Sequence, residues 1–163
     1  MPGTMSGTTS RALPPLTPTL VHVASYDDLL TPPKGLFPIQ RELVVGRAEG
    51  HDETLNGLWL DDKRVSLRHL RLTVVGAGAQ VADLGSSNGT LLNGVALEGT
   101  APLNDGDLIE VGRSLLLYRM LAGVPERQGW RWGADRTFNL ELGKLSGQLD
   151  KMARSAEPIL LLG

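Results

Sequence analysis

The chain has 163 residues, 41% of them hydrophobic and 4% aromatic, with 20 glycines, 10 prolines, no cysteine and a net charge of -2. This supplies one core of ordinary size and favours short strands and turns over long helices, while the absence of thiols excludes disulfides, thiolate metal sites and cysteine nucleophiles. The balance of charge argues against a nucleic-acid partner, and no apolar run approaches the ~20 residues that span a bilayer, so a cytoplasmic protein away from membranes is expected.

Residues 1–18 are rich in Thr, Ser and Pro and read as a flexible tail, because so few apolar side chains cannot offset the entropy of ordering. Met1 to Pro15 lacks the basic and apolar regions of a signal peptide. A first strand is predicted from Thr19 to Tyr26, a turn over Thr31 to Gly35 and a second segment at Leu36 to Gln40. Glu42 to Arg47 reads as a short β-branched strand, followed by a charged loop from Ala48 to Asn56 and a strand at Leu58 to Leu60. Asp61 to Arg64 reads as a turn. Leu70 to Val75 and Gln80 to Leu84 then form a hairpin across Gly76-Ala77-Gly78. Leu91-Leu92, Val95 to Leu97, Leu108 to Val111 and Leu115 to Leu121 complete the strands. The pattern predicts an all-β sandwich of two antiparallel sheets over residues 19–122. Residues 123–137 read as a linker. Phe138, Leu140, Leu142, Leu145, Leu149 and Met152 then recur at mostly helical spacing, with an apolar strand after Pro158.

Chemistry concentrates in residues 83–94, Asp-Leu-Gly-Ser-Ser-Asn-Gly-Thr-Leu-Leu-Asn-Gly. Ser86, Ser87, Asn88 and Thr90 offer hydroxyl and amide donors, and Gly85 and Gly89 permit positive φ and close approach, so the loop is suited to an anion. Upstream, Gly46-Arg47 closes one strand and Ser66-Leu67-Arg68-His69 opens another; downstream, Leu103-Asn104-Asp105-Gly106-Asp107 is a tight turn. A phosphate carries about two charges and three acceptor oxygens. Arg47 supplies the charge, and the Ser66 hydroxyl and Leu67 backbone N–H supply direction.

In this order and spacing the motifs resemble the forkhead-associated domain, a phosphothreonine-binding β-sandwich. The resemblance implies that Arg47, Ser66, Ser87 and Asn88 grip the phosphothreonine or the peptide beside it, with Asn88 bonding the peptide main chain. It also implies that Gly46, His69, Gly89, Asn93 and Gly94 hold the binding loops in shape, although Asn93-Gly94 is a hairpin dipeptide in any setting. One position departs from the family pattern, which has arginine directly after the serine. Here that position is Leu67 and Arg68 is displaced by one, which implies an altered affinity or peptide preference.

No catalytic constellation occurs in the sequence, and neither a cofactor nor a metal is implied; His22 and His51 read as ordinary strand and loop residues. The closing stretch from Leu149 to Gly163 resembles the helix and strand leading into the AAA+ ATPase domain of sigma-54-dependent bacterial transcription activators, with Gly163 as the first glycine of the nucleotide loop. That implies the N-terminal sensory part of a regulator, coupling an upstream Ser/Thr kinase to transcription through a phosphothreonine partner. The tail, with Thr4, Thr8, Thr9, Thr17 and Thr19, offers itself as such a partner in the same or a neighbouring copy, a route to self-association. The alternative is a phosphate-independent scaffold that uses a sandwich face or residues 126–158 to set an oligomeric state.

Overall fold

The computed structural model describes residues 13–26 and 34–124. The expected helix and strand over 138–163, and most of the tail, of the 31–35 turn and of the linker, lie outside the described residues. Strands run β1 Leu16–Ser25, β2 Gly35–Pro38, β3 Glu42–Arg47, β4 Gly57–Leu60, β5 Leu70–Val75, β6 Gly78–Asp83, β7 Thr90–Leu92, β8 Val95–Ala96, β9 Thr100–Leu103, β10 Leu108–Val111 and β11 Ser114–Ala122, with a 3-10 turn at Ala48–Gly50. They form a six-stranded sheet ordered β2-β1-β11-β10-β7-β8 and a five-stranded sheet ordered β4-β3-β5-β6-β9.

The expected all-β sandwich is what forms, and period-two alternation builds it. Leu43 and Val45 of β3, Leu70 and Leu72 of β5, and Ala79 and Val81 of β6 face Ile109 and Val111 of β10 and Leu116 and Tyr118 of β11 in one core. Each such leucine or valine contributes ~1.5–3 kcal/mol through burial.

Three details differ from the sequence reading. First, β1 begins at Leu16, three residues before the expected strand. Thr17 and Pro18 give no apolar signal, yet they pair with Leu121 and Met120 of β11, and Pro18 accepts the Ile39 N–H through its carbonyl. Second, β9 was not expected, because Thr100-Ala101-Pro102-Leu103 shows no clear alternation. It is an edge strand on β6 with Pro102 opposite Gln80, a position where a missing N–H is tolerated. Third, β3 and β4 pair in parallel, whereas the other described pairs are antiparallel. The loop at 48–56 carries the chain back along β3, and Asn56 anchors its return by donating to the Glu42 carbonyl at 3.0 Å.

Strand direction then fixes the position of each loop. Strand β3 ends at Arg47, β5 starts after His69, β6 ends at Asp83, β7 starts at Thr90, and β10 gives way to β11 at Gly112 and Arg113. All of these junctions lie at one pole of the sandwich.

Candidate functional site

At this pole the three motifs converge on one open cavity of about 410 Å³, lined by Arg47, Lys63, Arg64, Val65, Ser66, Leu67, Arg68, Gly85, Ser87 and Asn88. Arg47 is brought there by its place as the last residue of β3, where its N–H donates to the Ser66 carbonyl at 3.0 Å. Gly46 makes this approach possible, since a Cβ there would overlap the Leu67 carbonyl oxygen and crowd the Trp59 ring at 2.8 Å. The alanine methyl has nowhere to go.

Hydrogen bonds between loops set the donors. The Ser66 hydroxyl accepts the Ser87 N–H at 3.1 Å, which leaves its own proton for a ligand. Asn88 donates through Nδ2 to the Arg64 carbonyl at 2.7 Å, so its Oδ1 and second N–H stay available for a peptide main chain. Beneath them lies His69, fully buried. Its Nδ1 accepts the Ser66 N–H at 3.1 Å and its Nε2 lies 3.0 Å from the Gly89 carbonyl, an arrangement that the Nε2–H tautomer satisfies. One ring thus spaces two loops. Gly89 has φ 75°, a left-handed conformation that glycine adopts without strain.

The structure reassigns several residues of the 83–94 segment. Ser86 and Thr90, read from sequence as donors to an anion, both give their hydroxyl protons to Asp83, at 2.7 and 2.6 Å. Asp83 also accepts the Gly85 and Ser86 N–H groups, at 2.9 and 2.7 Å. Burial pushes the Asp83 carboxyl up, but the hydrogen bonds from Thr90 and Ser86 outweigh it and hold the group below its ordinary value. Asp83 shapes the loop from inside, a role the sequence reading missed because an aspartate at a strand end, two residues before a glycine, looks like any turn former. Asn93 and Gly94 sit at the far end of β7, away from the pocket. There Asn93 donates to Asp107 at 2.9 Å and accepts the Leu108 N–H at 2.8 Å, tying the end of β7 to the start of β10.

Sequence reasoning also passed over the cationic lip. Lys63 and Arg64, read only as turn residues, line the cavity and show no ion pair among the described residues, whereas Arg68 is drawn 3.3 Å from Asp52. Asp62 fixes this lip, accepting the Arg64 N–H at 2.8 Å and the Arg113 N–H at 2.6 Å. A second hollow of about 270 Å³, lined by Arg64, Asn88, Gly89, Leu91, Glu110 and Gly112, adjoins the first. Leu67 is exposed beside the cavity, and Arg68 reaches the cavity wall despite its displacement. Among the described residues no group of His, Asp or Glu could hold a metal ion, and no helix is long and apolar enough to cross a membrane.

Comparison with known proteins finds similarity over the strands and loops that carry this pole. The family model of the FHA domain matches residues 43–112. The chain is 43% identical over 77 residues to the FHA domain-containing protein FhaA of Mycobacterium tuberculosis, covering 47% of this chain and 14% of that protein. It is 38% identical over 61 residues to the glycogen accumulation regulator GarA of Mycolicibacterium smegmatis, covering 37% of this chain and 38% of that protein. The chain thus spans well under half the length of these curated relatives. A solved structure from a structural and functional analysis of phosphothreonine-dependent FHA domain interactions superposes with a TM-score of 0.52 and 28% identity, covering 64% of this chain and 97% of that one.

Proposed function

Taking residues 43–112 as an FHA domain, we propose that this chain binds phosphothreonine peptides at the Arg47, Ser66, Ser87 and Asn88 pole. One observation carries the reading: a guanidinium, a hydroxyl with its proton uncommitted and an asparagine with a free acceptor line one open cavity edged by Lys63 and Arg64, which form no ion pair among the described residues. A dianionic phosphate meets its charge there, and its oxygens meet directed donors; an unmodified threonine hydroxyl satisfies neither. The site positions and binds.

Around this core we place a regulatory role. The resemblance of residues 149–163 to the lead-in of a sigma-54 activator ATPase supports a cytoplasmic sensory module, in which kinase output changes the pocket's occupancy and hence the activity of a transcriptional ATPase. The threonine-bearing segment before β1 supports an internal ligand as well as a partner protein.

The test is titration of the full chain with a degenerate phosphothreonine peptide library, against phosphoserine and unmodified libraries. Saturable, phosphothreonine-selective binding that Arg47→Ala abolishes is the expected result. Binding that ignores phosphorylation and survives Arg47→Ala would replace this reading with the phosphate-independent scaffold.

A further inference from the structure

Glu49 is the second residue of the 3-10 turn that follows β3, and its Oε2 lies 3.0 Å from Arg47 Nε. That Nε–H is buried and has no aligned acceptor, so charge and not a directed hydrogen bond holds the two groups together. The Glu49 side chain is 62% exposed, against 30% for Arg47. The other protein contact of the guanidinium among the described residues is a long one, Nη1 to the Lys63 carbonyl at 3.5 Å. Arg47 therefore meets a ligand with a carboxylate already beside it, most of its donors still free, and no rigid frame around the head group.

We propose that Glu49 is a built-in competitor for Arg47 that sets the affinity of the pocket. This inference rests on the phosphate-binding reading above. An exposed ion pair of this kind is weak, so a phosphate displaces it readily. The carboxylate cannot leave, because it is tethered two residues from Arg47, and it repels the incoming dianion at close range. Occupancy is held down and release is correspondingly quick, which suits a reader of reversible phosphorylation. The neighbouring Glu53 is also exposed and forms no ion pair among the described residues, so the effect belongs to Glu49 by position and not to loop charge in general.

The experiment is titration of the full chain with one phosphothreonine peptide selected by library screening, for wild type, Glu49→Gln, Glu49→Lys and Glu53→Gln, at low and high ionic strength. Glu49→Gln should bind about threefold tighter at low salt and Glu49→Lys tighter still, with both gains shrinking as salt screens the charges. Glu53→Gln should leave affinity within about 1.5-fold of wild type. Unchanged or weaker binding by Glu49→Gln, with wild type binding normally, overturns this inference alone and makes Glu49 a bystander or a support for Arg47. An equal gain from Glu53→Gln also overturns it, in favour of a diffuse field. Failure of every variant to bind the peptide removes the pocket reading and this inference with it.

Discussion

The two poles of the sandwich are built from similar residues but wired differently. At the far pole, Asn93 and Asp107 tie β7 to the start of β10, Asp107 accepts the Asn104 N–H at 2.7 Å, and Asp105 holds Arg119 at 2.9 Å on the strand that runs beside it. These bonds span 3 to 14 positions and are spent between the turns and strands themselves. At the pocket pole the bonds run between loops that are distant in sequence. Ser87 reaches Ser66 across 21 positions, Asn88 reaches Arg64 across 24, and Arg113 reaches Asp62 across 51. At the far pole both partners of each bond are used up in holding the shape, whereas at the pocket pole the braced loops leave the Ser66 hydroxyl proton and the Asn88 amide with capacity left over.

Four perturbations test that contrast, taken here from the largest expected effect. On the proposed reading Arg47→Ala should cost on the order of 2–5 kcal/mol of phosphopeptide affinity by titration calorimetry, with an unchanged melting temperature, since the guanidinium makes only an exposed ion pair and one long hydrogen bond among the described residues. Asp83→Ala removes the acceptor for two backbone and two hydroxyl donors. It should cost about 3 kcal/mol in denaturant unfolding and weaken peptide binding as well, because loop shape and site are one structure here.

The third concerns His22, whose Nδ1 accepts the Lys34 N–H at 2.9 Å and whose Nε2 lies 3.2 Å from the Ser25 hydroxyl. Burial, and then the Lys34 charge, lower its pKa from 6.5 to about 4. The unfolded chain therefore binds more protons between those values, so stability falls as pH drops from about 6.5 to about 4, by about 2 kcal/mol. His22→Gln should lose this pH dependence, its unfolding free energy staying flat over the window where that of wild type falls; equal slopes in the two proteins would rule His22 out as the cause. Asn93→Ala is the smallest, at about 1 kcal/mol of stability, with peptide affinity intact. A loss of affinity in that variant would show that the poles are coupled and would break the comparison.

Much of the fold was legible because one face of nearly every strand is buried, and burial writes itself into sequence as alternation. Strands β3, β5 and β10 match their expected bounds residue for residue. Pairing partners are not written that way, so the parallel β3–β4 contact and the proline-bearing edge strand β9 escaped. The order of the motifs singled out Arg47, Ser66, Ser87 and Asn88, and the fold brings these four to the lining of one cavity. What stayed hidden was which polar side chain turns inward: Ser86 and Ser87 are neighbours of the same type, and only the position of Asp83 decides that the first serves the loop and the second faces outward.

Strands β1 and β11 lie side by side with Leu16 opposite Ala122, so the chain enters and leaves the sandwich at a single corner, at the pole opposite the pocket. Tension applied through the segments flanking these strands would load their shared ladder one hydrogen bond at a time, from that corner towards Ser25 and Ser114. The domain would unzip instead of resisting in shear. Mechanically it is a soft attachment, and pulling would reach the pocket pole last.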